Sequence, residues 1–314
     1  MNTFFKPARL LTYFMVASYA VAMTSCDDNS TPPDPETGTI KEVVTETPQL
    51  SKLVTALAKA ELADTLDSNG PFTVFAPNND AFTKAGLNNL DSLSSAQLKP
   101  ILNSHVVNGE IKSSDIQSGA KETAGGNHIY FSKNSTGLYI NGTIKVISSD
   151  LDASNGVIHT IDNVITPPTS SLVQLIGGDS DYSELVALAA KADTSVANAL
   201  AAAAQNGMTV FAPSNAAFTA LYTTTPKDSL LAPGNKAMLT NILLYHVLPG
   251  RVFTTDLPNV TGEVATANPA AKVTFDLSGG TKIVGKTSGA SNVTTTNILG
   301  TNGVIHKIDK VLIP

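Results

Sequence analysis

The sequence predicts an α+β fold built twice in tandem, and three observations lead there. Gly70 to Phe82 reads Gly-Pro-Phe-Thr-Val-Phe-Ala-Pro-Asn-Asn-Asp-Ala-Phe, and Gly207 to Phe218 reads Gly-Met-Thr-Val-Phe-Ala-Pro-Ser-Asn-Ala-Ala-Phe. Asn155-Gly156-Val157-Ile158-His159-Thr160-Ile161-Asp162 recurs as Asn302-Gly303-Val304-Ile305-His306-Lys307-Ile308-Asp309. Within each copy, apolar residues at helical spacing dominate the first half and strand and turn signals the second. A repeat of this length is a whole domain, far above the roughly 20 to 50 residues of a solenoid unit. Matched landmarks drift from 132 residues apart at Ser51 and Ser183 to 147 at Asn155 and Asn302, so the second copy carries insertions. Loops tolerate these best, and the Thr- and Pro-rich stretch from Tyr222 to Lys236 is the expected place for one.

Each element has a local reason. Leu53, Val54, Leu57, Ala58 and Leu62 follow a possible Ser51 cap at helical spacing, and Leu185, Val186, Leu188 and Ala189 do the same after Ser183. Phe72 to Phe75 and Met208 to Phe211 read as short strands. Pro77 and Pro213 cannot donate to a sheet ladder, and the capping residues Asn78 and Ser214 that follow start a helix. Ser94 and Gln97 form a capping-box pattern ahead of Leu98, Ile101 and Leu102, which match Leu239, Ile242 and Leu243. The second half of each copy is β-rich, with hairpin signals at Asn141-Gly142, Asn155-Gly156 and Asn302-Gly303. Gly125-Gly126 and Ser278-Gly279-Gly280 are turns, and the alanine run 199–204 reads as a closely packed helix.

Lys6 and Arg9 precede an uncharged, mostly apolar run of 14 residues, Leu10 to Met23, the length of an export-signal core and short for a membrane span. Cys26, the only cysteine, follows directly in a pattern similar to a bacterial lipobox. Residues 1–25 are therefore expected to be a lipoprotein signal peptide, with Cys26 lipidated. Residues 26–39 then form a polar, Pro-rich tether. The folded domains are expected at 40–168 and 169–314. An outer-membrane location follows from this reading, on the surface or periplasmic face; the aspartates after Cys26 resemble a surface-export signal. Net charge is −6, or −8 without Lys6 and Arg9. The absence of tryptophan and the acidic surface argue against a nucleic-acid partner, and none is expected.

The Thr-Val-Phe-Ala-Pro segment, the His105 and Tyr245-His246-Val247 segments and the terminal Asn-Gly-Val-Ile-His strand, in that order and twice over, resemble the fasciclin (FAS1) family from about Lys41 to Pro314. The resemblance implies a wedge-shaped β-sandwich with packed helices in each copy. It also implies cell adhesion through contact with extracellular or cell-surface protein or polysaccharide. Copy one has Ser104 where copy two has Tyr245, which weakens an adhesive role for that position in the first domain.

His105, His246, His159 and His306 all have apolar neighbours. They are read as buried, neutral histidines bonded to backbone, because no Cys pair, His-x-His or His-Glu-x-x-His spacing supplies a converging metal site. No Gly-x-Ser-x-Gly elbow occurs, so neither an enzyme, a metal nor a cofactor is expected. Tyr245, His246 and Arg251 are the candidate adhesion residues. Of these, His246 is expected to be mainly structural and Tyr245 at most partly exposed, leaving the Pro249-Gly250-Arg251 loop to make contact. The alternative function is a glycan- or small-molecule-binding lipoprotein for uptake or sensing, which a concave pocket between helices and sandwich would favour.

Overall fold

Phe72–Pro77 (β1) is buried along nearly its whole length because its two faces serve two different cores. Val74 and Ala76 point toward helices, while Phe75 points into a β-sandwich with Val107, Ile129, Phe131 and Ile140. That is the alternation of a strand applied to an interior strand. The computed structural model describes residues 38–201 and 207–314, which lie within one compact unit. The leader, Cys26 and the tether up to residue 37 lie outside the described residues, as does the end of the alanine run from 202.

In the first domain, helices Ile40–Glu46 (α1) and Ser51–Lys59 (α2) precede β1. Asn79–Lys84 (α3) and Ser95–Asn103 (α4) follow it, then the strands Val106–Asn108 (β2), Gly119–Glu122 (β3), His128–Asn134 (β4), Gly137–Ile140 (β5), Ile144–Ala153 (β6) and Gly156–Ile161 (β7). The sheet order is β2-β1-β7-β6-β5-β4-β3. Only β1 and β7 run parallel, with Phe75 opposite His159.

The second domain repeats the plan. Its helices are Leu172–Gly178 (α5), Ser183–Ala189 (α6), Thr194–Ala201 (α7), Asn215–Tyr222 (α8), Lys227–Leu231 (α9) and Lys236–Tyr245 (α10). Its strands are Met208–Pro213 (β8), Val247–Pro249 (β9), Val264–Ala265 (β10), Lys272–Asp276 (β11), Lys282–Gly285 (β12), Gly289–Gly300 (β13) and Gly303–Ile308 (β14). Their order, β9-β8-β14-β13-β12-β11-β10, is that of the first sheet. Two tandem α+β domains are thus present, each a seven-stranded sheet curled around one core with helices over its other face.

The caps at Asn78, Ser214 and Ser94 form as expected, each side-chain oxygen accepting a backbone N–H three residues on. Ser51 does not cap α2. It is the first helical residue, and the helix start is held instead by Asn79, whose Oδ1 accepts the Lys52 N–H at 3.0 Å. The segment expected to be an inserted loop holds α9 and a short 3-10 turn, so the extra residues were absorbed by burying Leu230. Helices α1 and α5 went unread in the sequence, although Thr39 with Glu42 and Ser171 with Gln174 form capping boxes at their starts.

The strands β6 and β13 bulge near their middles. At each bulge one residue takes the left-handed conformation, Asp150 at φ 61° and Asn297 at φ 58°. Asp and Asn tolerate that region better than most side chains. The bulges matter because of where they aim the backbone.

Candidate functional site

The four paired histidines are interior hydrogen-bond nodes. His159 is fully buried and stacks on Phe75 with centroids 5.3 Å apart, and His306 stacks on Phe211 at 5.2 Å. His159 Nε2 donates to the Ile111 carbonyl at 2.8 Å and Nδ1 accepts the Asp150 N–H at 3.2 Å. His306 does the same with Val252 (2.9 Å) and Asn297 (3.2 Å). The left-handed bulge residue therefore turns its amide into the histidine. His105 and His246 are bonded with the opposite tautomer. Their Nδ1 atoms donate to Ile101 and Ile242, both at 2.8 Å, and their Nε2 atoms accept from Ile165 and Leu312, both at 2.9 Å.

In all four rings one nitrogen must be an acceptor, so the neutral form is the one the backbone fits. Burial lowers the pKa of His105, His246 and His306 to about 4 and also lowers that of His159. With both nitrogens of each ring occupied by backbone, none is free to take a metal or a proton from a substrate. Among the described residues no cluster of His, Cys, Asp and Glu is arranged to hold a metal ion.

Tyr245 is fully buried. Its hydroxyl donates to the Lys272 carbonyl at 2.7 Å and accepts the Lys286 N–H at 2.9 Å, tying α10 to β11 and to the turn after β12. The tyrosine thus presents no outer surface, and neither does its neighbour His246. Pro77 and Pro213 end β1 and β8 opposite Ile161 and Ile308.

Arg251 was expected to make outward contacts from an exposed loop, but it faces the other domain. Its guanidinium lies 4.5 Å above the ring of Tyr130, and Nη2 donates to the Thr301 carbonyl at 2.7 Å. Phe253 meets Tyr130 at 5.9 Å and packs on Gly142, where a Cβ would come within 2.6 Å of the Phe253 ring. Asn134 donates to the Thr255 carbonyl (2.7 Å), Asn259 to that of Lys133 (2.9 Å) and Asn297 to that of Gly142 (2.8 Å). This seam was invisible in the sequence because it joins residues more than a hundred positions apart, with no pattern linking them.

The second domain also contains a concave apolar cavity of about 170 Å³ between α5, α6, α7, α10 and the strands β8 and β9, with Val173 and Val186 exposed at its mouth.

Comparison with known proteins agrees with this architecture. The fasciclin domain model matches residues 48–167 and 180–314. Periostin of Homo sapiens is 30% identical over 279 residues, which cover 81% of this chain and 30% of periostin. Protein sll1483 of Synechocystis sp. is 42% identical over 134 residues, 41% of this chain and 74% of its own length. Among solved structures, the FAS1 domain pair from the insect cell adhesion molecule Fasciclin I covers 85% of this chain and 97% of that one, at 19% identity and a TM-score of 0.42. With the family model spanning most of both repeats, the chain belongs to the fasciclin domain family.

Proposed function

We propose that this chain is a surface-interaction protein of the cell envelope, tethered through lipidated Cys26, whose two fasciclin domains act together as an adhesive unit. The observation that carries the reading is the seam of Arg251, Tyr130, Phe253 and the three asparagine bonds. Two domains joined in this way present their outer surfaces at a set spacing, and linked weak contacts gain from effective concentration. Membership of the fasciclin domain family, whose resemblance implies cell adhesion, supports the same reading. The partner is then an extracellular or cell-surface protein or polysaccharide, met by outer loops and not by Tyr245 or His246. Cells expressing the wild-type chain should bind a protein- or polysaccharide-coated surface, and a chain with Arg251→Ala and Phe253→Ala should bind it more weakly while each domain stays folded. Undiminished binding by that variant would count against a cooperating pair.

A second reading, ligand capture for uptake or sensing, is favoured by the apolar cavity of the second domain.

A further inference from the structure

Equivalent hydrogen bonds set the correspondence between the two domains along the paired helices that wall the cavity; α7, which adds Val196 and Leu200 to the wall, has no helical counterpart between α2 and β1. Asn155 Oδ1 accepts the Ile40 N–H as Asn302 Oδ1 accepts that of Leu172, so α1 and α5 share a register. Asn79 Oδ1 accepts the Lys52 N–H as Asn215 Oδ1 accepts that of Glu184, which fixes α2 against α6. With these registers, Leu57 of the first domain stands where the second has Ala189, Thr45 where it has Gly177, and Lys41 where it has Val173.

All three differences open the second domain. Leu57 is 7% exposed and belongs to the first domain's core, whereas Ala189 lines the cavity. A side chain added at Gly177 would meet nothing within 4 Å. Lys41 forms ion pairs with Asp64 and Asp67 across the first domain's corresponding surface, while Val173 leaves the second domain's mouth uncharged and 52% exposed. The cavity walls include Ile176, Leu185, Val210 and Leu243. His246 also borders the cavity, but both its ring nitrogens are already bonded to backbone, so it offers only carbon.

A void of this kind is unfavourable when empty, because its lining atoms lose contact partners and water gains no hydrogen bonds there. Apolar cavities of about 150 Å³ stay dry and take up benzene-sized hydrocarbon. The apolar lining continues outward through Val173 and Val186, so a compact ring would fill the interior and leave the mouth uncovered. An aliphatic chain entering end-on would cover both.

We infer that the second domain, and not the first, binds the end of an aliphatic hydrocarbon chain, such as a fatty acyl tail, between α5, α6 and α10. The inference goes beyond the adhesive reading and does not depend on it, because chain binding and cell attachment are measured separately.

The test is a fluorescence titration of the full chain carrying Cys26→Ala, in detergent-free buffer, with the polyene fatty acid cis-parinaric acid as probe and dodecanol and toluene as competitors. The expected result is saturable binding at one site per chain, displaced by dodecanol more effectively than by toluene. Val173→Lys, at the surface, and Ala189→Leu, in the interior, should each weaken binding at least tenfold, and Ala189→Leu should remove it if the void is filled. Absence of saturable binding, or equal binding by wild type and a folded Val173→Lys chain, would overturn the inference. Stronger displacement by toluene would overturn its choice of a chain over a ring.

Discussion

Acidification from pH 8 to pH 5 should destabilise the second domain by about 4 kcal/mol through His246 and His306. Each has a folded pKa of about 4 against an ordinary value of 6.5. Because the folded state resists protonation, the unfolded chain binds more protons between those values, and stability falls as pH drops through that window. At pH 5 the difference amounts to about 2 kcal/mol per histidine relative to pH 8, a large part of the roughly 5 to 15 kcal/mol that holds a domain together. The structural cause is that a second ring proton would face the amide of Leu312 or Asn297, already a donor to that nitrogen. Carboxylates do not mimic the trend. Asp276, lowered to about 2, loses its contribution only below the ordinary carboxylate range. Asp256 is raised by burial, so acidification stabilises it and opposes the histidines. Urea unfolding followed by far-UV circular dichroism should show the midpoint of the second domain falling by roughly 2 M between the two pH values, taking a urea slope of about 2 kcal/mol per M. In a folded His306→Gln chain, whose amide can still donate to Val252, the fall should be about half as large. Equal midpoints at pH 8 and pH 5 would refute the buried, neutral assignment.

Tyr245→Phe removes a hydroxyl that serves two partners and should cost about 1 to 3 kcal/mol by denaturation at pH 8, with cell attachment unchanged. Arg251→Ala deletes the stack on Tyr130 and should cost about 1 to 2 kcal/mol. Small-angle scattering should then show a larger radius of gyration, and an unchanged profile would mean the seam does not hold the pair. Cys26→Ala should move the chain from the membrane to the soluble fraction with its unfolding curve intact. Wild-type protein found soluble and without an acyl group would remove the anchor from the account.

The features legible in the sequence were those fixed by short-range chemistry. Pro77 followed by Asn78, Ser94 paired with Gln97, and Asn141-Gly142 each specify a backbone conformation within a few residues, and each forms as expected. The alternation of Val157, His159 and Ile161 likewise placed the histidine on an apolar face. What escaped depended on distant partners. Arg251 reads as a loop cation until Tyr130 is brought beneath it from the other domain. Ser51 reads as a cap until Asn79 supplies the acceptor from the next helix. The cavity depends in part on the Leu57 to Ala189 difference between copies, which both sequences describe as apolar and only packing reveals as a void.

The most direct test of the central claim is cell attachment to a coated surface by a strain lacking this chain, complemented with either the wild-type or the Cys26→Ala form. The wild-type chain should restore attachment. The Cys26→Ala chain, folded but released, should fail to restore it and, added in excess, should compete with wild-type cells for the surface. Equal attachment by the strain with and without the wild-type chain, on every protein and polysaccharide coating tried, would contradict an adhesive function.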